Sequence, residues 1–370
     1  MKTSLSNPKS DGFRMPAEYE PHHGTLMLWP YRRDVWREGG HPAQQNFLDV
    51  AKAISTHEPV YIGVPPQLFN KISNSYKFPN INFFQIASDD AWMRDVGPTF
   101  LINDRHELRG VDWEFNAWGG LYNGLYHPWK NDDMIAAKVL KMFGIAGYRT
   151  DGFVLEGGSI HVDGAGLALV TEACLLSPGR NPHLSKRQIT NMLKRYLSVK
   201  RVVWIPFGVY EDETNEHVDN IACFVAPGHV LIAMGEDEND PQFRMCQASY
   251  KALKKARGID GNPLIISTIP FPSEILTATE AERSTLTSSE AAIERPSRQR
   301  LAASYINFYI CNGAIIMPSF GLPSDETAIK TLATLFPDRK IIPVRSREIL
   351  LGGGNIHCIT QQIPKGHPFI

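Results

Sequence analysis

Short apolar runs and amphipathic stretches alternate along the whole chain. Thr25–Pro30 (TLMLWP) is a compact apolar run that ends at a proline, which predicts a buried strand. Ala43–Thr56 sets Phe47, Val50, Ala51 and Ile54 on one helical face. Pro59–Val64 and Ile81–Ile86 read as the next strands. Further along, Asp132–Gly144 reads as helix, Leu167–Leu176 as strand, Ser185–Leu197 as helix and Arg201–Pro206 as strand. Pro241–Gly258 is a helix with a glycine stop. Ala303–Pro318 reads as a strand pair that turns at Asn312-Gly313, and Asp325–Phe336 and Lys340–Val344 close the series as helix and strand. Alternation from end to end implies an α/β fold.

The polar stretch Thr277–Arg300 reads as a surface insertion or long loop, the segment best suited to mobility. Residues 1–10 read as a frayed, flexible start. No linker divides the remainder, so residues 11–370 are expected to form a single domain.

Composition narrows the function. The chain has 370 residues, 43% hydrophobic and 21% charged, with a formal net charge of −1. That balance argues against a surface built for nucleic acid or anionic lipid. No apolar run approaches a membrane span, and the start carries no secretory leader, so a cytoplasmic protein without membrane contact is expected. Five widely spaced cysteines without a C-x-x-C exclude a zinc ribbon and speak against a disulfide scaffold.

Four candidates stand where strands meet loops: Asp95 in WMRDVGP, Glu156 in LEGG, His217 in NEHVDN and Cys358 in NIHC. Sixty-one residues separate the first from the second and the second from the third, and 141 separate His217 from Cys358. The pentapeptide GGSIH (157–161) is echoed by GGNIH (353–357). A period near 60 to 70 residues suggests copies of one strand-helix unit around an axis, with one unmarked copy before Cys358. Such a ring brings equivalent ends together at its centre.

Cys358 follows three glycines that match neither phosphate-binding spacing, and IHCITQQ looks extended. It is either a small buried thiol or a nucleophile. His357 and Cys358 would point to opposite faces of a strand, which makes His357 a poor base for the thiol. His217 and Asp219 share a face at i, i+2. They suit proton transfer beside a cation site, a pair of metal ligands (HVD recurs at 161–163) or an exposed turn. Trp92, Arg94 and Asp95 mark either a packed turn or a site loop. One thiol, one histidine and the carboxylates Asp95, Glu156 and Asp219 are wrong for an ester or peptide hydrolase, whose oxyanion needs donors. They suit a planar cation, a guanidinium gripped by carboxylates and attacked at its central carbon.

The motifs RMPAEYEPHHGTLMLWP, DDAWMRDVGPTF, RGVDWEFNAWGG, LEGGSIHVDG, ETNEHVDN and GGGNIHCITQQIP, in order from Asp11 to Pro364, resemble those of the agmatine deiminases, within the Porphyromonas-type peptidyl-arginine deiminase (pentein) superfamily. The resemblance implies a pentein α/β propeller of five ββαβ-type modules around a pseudo-fivefold axis. It implies Cys358 as nucleophile and His217 as general acid/base. Asp95 and Asp219 would grip the guanidinium, Glu156 would support it and Trp92 would cover the channel. It further implies agmatine as substrate, N-carbamoylputrescine and ammonia as products, no cofactor, no metal, and a homodimer or homotetramer. Glu213, in the acidic run before His217, is the expected partner of agmatine's distal amine. The alternatives are an enzyme acting on arginine, a non-catalytic binding propeller, and a metallohydrolase built on the two HVD sites.

Overall fold

The apolar stripe of Ala43–Thr56 is buried as its spacing requires: Phe47, Val50, Ala51 and Ile54 are at most 1% exposed on helix α1 (His41–Ser55). Phe47, Val50 and Ile54 each contribute roughly 1.5–3 kcal/mol by leaving water. The computed structural model describes residues 6–368. Of the expected flexible start, residues 1–5 lie outside the described residues, whereas Lys9 N–H donates to Arg195 O at 3.3 Å.

In chain order the strands are β1 (His22–Leu28), β2 (Val60–Val64), β3 (Ile81–Gln85), β4 (Thr99–Ile102), β5 (Glu107–Glu114), β6 (Ala146–Val154), β7 (His161–Val162), β8 (Leu167–Thr171) and β9 (Arg201–Ile205). They continue as β10 (Ala222–Ala226), β11 (His229–Met234), β12 (Ile265–Pro270), β13 (Tyr309–Cys311), β14 (Ala314–Ser319), β15 (Lys340–Arg345), β16 (Gln361–Pro364) and β17 (His367–Pro368). Four further helices matter here: α2 (Ile135–Met142), α3 (Lys186–Tyr196), α4 (Pro241–Lys255) and α5 (Ser324–Leu335).

One pattern builds the five sheets among the described residues. A strand pairs antiparallel with the next, a helix crosses over, and a third strand pairs parallel. This gives β4–β5–α2–β6, β7–β8–α3–β9, β10–β11–α4–β12 and β13–β14–α5–β15. The remaining sheet runs β1–α1–β2, with β3 at its edge, and takes its antiparallel partner β16 from the far end of the chain. The ring is therefore closed by pairing the beginning to the end. These ββαβ modules are the expected α/β propeller. Local chemistry fixes the crossovers: Ser185 and Gln188 form a reciprocal capping box at the start of α3, and Asp240 caps α4 ahead of Pro241.

Three elements differ from their expected extents. The strand read as Leu167–Leu176 stops at Thr171, whose hydroxyl accepts from Cys174 N–H and caps a helical turn over Glu172–Leu175. The strand pair of Ala303–Pro318 keeps its turn, but its first strand shrinks to Tyr309–Cys311, because Ser304 and Asn307 commit their side chains to local and site hydrogen bonds. Ile356–Ile359 is a turn rather than extended, held by the Thr360 hydroxyl donating to Ile356 O and His357 O.

Candidate active site

The loop just before the first strand of every module delivers one polar side chain to a shared centre. Asp95 precedes β4, Glu156 precedes β7, His217 precedes β10, Asn307 precedes β13 and Cys358 precedes β16. The unmarked module between His217 and Cys358 is thus the one that carries Asn307. Its amide nitrogen donates to Cys358 Sγ at 3.3 Å and to Asn220 Oδ1 at 2.9 Å, while its oxygen accepts from His357 N–H at 2.9 Å.

Asp95 is held at both oxygens, accepting from Gly158 N–H and from the indole N–H of Trp118, each at 2.9 Å. Trp118 and Ala117 have φ of +63° and +55°, a left-handed backbone costly for side chains of this kind. Arg180 stabilises that strained turn. Its guanidinium donates to Trp118 O, to Glu156 Oε1 (2.7 Å), to Asn215 Oδ1 (2.6 Å) and to Thr214 O (2.7 Å), so one buried cation ties three site loops together.

His217 sits between two of the carboxylates. Its Nδ1 is 3.9 Å from Asp95 Oδ1 and its Nε2 3.6 Å from Glu156 Oε2. Burial acts to lower its pKa, but Asp95, Cys174 and Glu156 outweigh burial and hold it well above the ordinary value. The flanking carboxylates thus favour the imidazolium form of the ring. Glu156 would be raised by burial, yet Arg180 and His217 hold it low and ionised. Asp95 has less help: burial, Asp219 and Glu156 prevail over His217 and the Gly158 N–H, and its pKa rises to about 6.

Cys358 and His357 share one carboxylate oxygen. Asp219 Oδ2 lies 3.7 Å from Cys358 Sγ and 2.8 Å from His357 Nδ1, so the turn at Ile356–Ile359 overturns the expectation that the two side chains face apart. Burial, Asp219 and Asp95 push the thiol's pKa well above its usual value, against Asn355 N–H and the Asn307 amide. The thiol is therefore neutral until a cation offsets the surrounding carboxylates. Gly158 lets these groups converge: a Cβ there would stand 2.6 Å from His217 Nδ1 and 2.9 Å from both Asp219 Oδ2 and Asp95 Oδ1.

A narrow cleft opens onto Cys358 and Asp95. Trp92 lines it, its indole N–H donating to Asp90 Oδ2 at 2.9 Å, and its ring packs so close to Gly354 that a Cβ there would be 2.5 Å away. Glu213 lines it too, paired with Arg295 (2.8 Å) and with Gln299 (2.9 Å). Both partners come from the stretch read as a surface insertion, and Arg295 is only 8% exposed, so that segment forms a wall of the cleft.

A profile of the Porphyromonas-type peptidyl-arginine deiminase family matches residues 14–364. The chain belongs to this family. The agmatine deiminases of Ectopseudomonas mendocina (strain ymp) and Pseudomonas aeruginosa (strain LESB58) are each 50% identical over 364 residues, covering 98% of this chain and 99% of theirs. The solved agmatine deiminase of Enterococcus faecalis matches with a TM-score of 0.95 at 46% identity over 98% of both chains.

Within this peptidyl-arginine deiminase fold the two HVD sequences separate. Asp163 caps a turn through Ala165, Gly166 and Leu167 N–H, and His161 Nδ1 accepts from Phe224 N–H, so neither faces His217 or Asp219 as a ligand partner. Glu156, Cys174 and His217 do bring ligand atoms within 4.8 Å of one another, but Arg180 on Glu156 opposes a metal ion there. Asn307, Arg180, Trp118 and Cys174 escaped the sequence reading. A polar Asn307 inside the apolar run YINFYI was the one available sign.

Proposed function

We propose that this chain hydrolyses agmatine to N-carbamoylputrescine and ammonia, a step toward putrescine. The observation that carries the reading is a thiol 3.7 Å from one of three buried carboxylates, with the His217 ring beside the other two. A buried anionic cluster is costly alone and is matched by a planar cation. The 50% identity to agmatine deiminases over nearly the full length supports agmatine as the guanidine.

In this reading Asp95 and Asp219 grip the guanidinium and Glu156 supports it. The bound cation lowers the pKa of Cys358, which releases its proton to solvent and attacks the central carbon as the thiolate; the proton is returned when the thiolate departs in the second half. His217 gives its proton to the departing nitrogen, ammonia leaves, and an amidino-cysteine remains. The neutral imidazole then takes a proton from water, hydroxide adds to the amidino carbon, and the C–S bond breaks to free N-carbamoylputrescine. Trp92 covers the substrate chain, and Glu213 meets the distal ammonium while sharing its charge with Arg295. No step draws on a cofactor. A cytoplasmic homodimer or homotetramer belongs to the same reading; among the described residues no helix is long and apolar enough to cross a membrane.

Initial rates with agmatine, arginine and peptidyl arginine, together with mass spectrometry of enzyme quenched during turnover, test this reading. Preference for agmatine and an amidino adduct on Cys358, absent in Cys358→Ala, are expected. Equal or faster turnover of arginine would remove the agmatine assignment.

A further inference from the structure

His357 touches no part of the cleft, yet both of its ring nitrogens face carboxylates. Nδ1 is 2.8 Å from Asp219 Oδ2 and Nε2 is 2.7 Å from Glu18 Oε2, with all three side chains at most 4% exposed. A neutral imidazole owns a single N–H and can donate to only one of them. Two ionised carboxylates at these distances are both satisfied only by the imidazolium, through a charge-assisted bond on each side.

The surroundings agree. Glu18 Oε1 accepts from Ile310 N–H at 2.8 Å, and Oε2 is 3.5 Å from Arg94, whose guanidinium is otherwise engaged by Gln362 Oε1 and His357 O. His161 stacks on the ring at 6.4 Å, and burial pushes its own pKa down to about 4, so it stays uncharged there. Asp219 is faced in addition by His217, Cys358 and Asp95. Burial and Arg94 act to lower the pKa of His357, but Glu18 and Asp219 prevail and raise it. Burial alone would drive Asp219 toward its neutral form; the hydrogen bond and charge of His357, with His217 and Arg94, keep it low.

We propose that His357 is a positioning residue that works through Asp219, a protonated clamp that fixes one oxygen of that carboxylate and leaves the other to the substrate's guanidinium. Asp219 Oδ1 is buried and has no hydrogen-bond partner among the described residues, which is the atom this role requires to be free. Glu18 is the outer anchor that keeps the ring charged. The proposal rests on guanidine hydrolysis at Cys358, and wild-type turnover of agmatine establishes that reading separately before any variant is compared.

The test is the pH dependence of kcat/KM for agmatine in His357→Gln, His357→Asn, Glu18→Gln and Asp219→Asn, with circular dichroism and thermal melts to confirm folding. Without the clamp Asp219 ionises only at higher pH. His357→Gln is therefore expected to lose about tenfold or more at pH 6.5 and to recover much of that by pH 8.5. Asp219→Asn, which cannot ionise, should show a loss that does not depend on pH. His357→Asn places an amide N–H near the position of Nδ1 and should lose less than His357→Gln. If His357→Gln does not fold, Glu18→Gln decides the matter, because it leaves the ring in place and removes only its anchor. A deficit in folded His357→Gln or Glu18→Gln that is the same at pH 6.5 and pH 8.5 overturns the proposal.

Discussion

Arg180 Nε and Glu156 Oε1 stand 2.7 Å apart with both side chains wholly withdrawn from solvent. Arg180 also holds Trp118 O, Thr214 O and Asn215 Oδ1, so its loss would leave the buried Glu156 with only His217 at 3.6 Å to offset its charge and would release three loops. Removing one partner of such a pair costs about 3–5 kcal/mol. Arg180→Ala should lower the urea unfolding midpoint accordingly. Arg180→Lys should recover only part of the loss, because an ammonium cannot reproduce the fork. A variant as stable as the parent would show that the pair contributes little.

Gly158 offers a substitution that tests geometry rather than charge. A single methyl there would intrude on His217, Asp219 and Asp95 at 2.6–2.9 Å. Gly158→Ala should reduce kcat/KM by about 100-fold or more, the usual scale for displacing reacting groups by an ångström, and should melt close to the parent. Kinetics alongside calorimetry separate the two effects.

The raised pKa of Asp95 sets an acid limb. Its folded value is about 6 against an ordinary 3.8, so the side chain keeps its proton in the free enzyme until the pH rises through about 6. Since the proposed grip on the guanidinium needs the ionised form, kcat/KM should rise with pH through that value. The bound cation favours the carboxylate, so the limb in kcat should lie lower than the limb in kcat/KM. The linked effect on stability has the opposite sense: the contribution from protonated Asp95 is complete below about 4 and is lost as pH rises through about 6. Rate profiles from pH 4.5 to 9 read both limbs. An acid limb of kcat/KM at 4 or below would contradict the assignment.

Glu213 is ionised, because Arg295 and Gln299 outweigh its burial. Neutralising it should weaken attraction for the distal ammonium more than it slows chemistry. Glu213→Gln is expected to raise KM for agmatine about tenfold, equivalent to roughly 1.4 kcal/mol, with a smaller change in kcat. An unchanged KM would free Glu213 from substrate binding and leave it as the partner of Arg295.

The site was legible where a polar residue interrupts an apolar strand end within a few residues. Asp95, Glu156, His217 and Cys358 all do so, and their spacing exposed the repeat. It was not legible where the partner lies far along the chain. Glu18 meets His357 across 339 positions, and only closure of the ring puts them side by side. Arg180 sits in SPGRNP, where nothing local separates a structural hub from an exposed cation. The fold was read correctly in type because periodicity survives packing. It was read poorly at boundaries, as at Thr171 and Ile356, where one hydroxyl decides between strand and turn.

Cys358 stands three residues ahead of β16, the strand that β1 must wait for. The three carboxylate- or imidazole-bearing loops and the Asn307 loop all precede it in the chain, and the sulfur meets Asp219 and Asn307 only where β16 is seated against β1. Closing the ring and assembling the thiol site therefore depend on one and the same strand pairing.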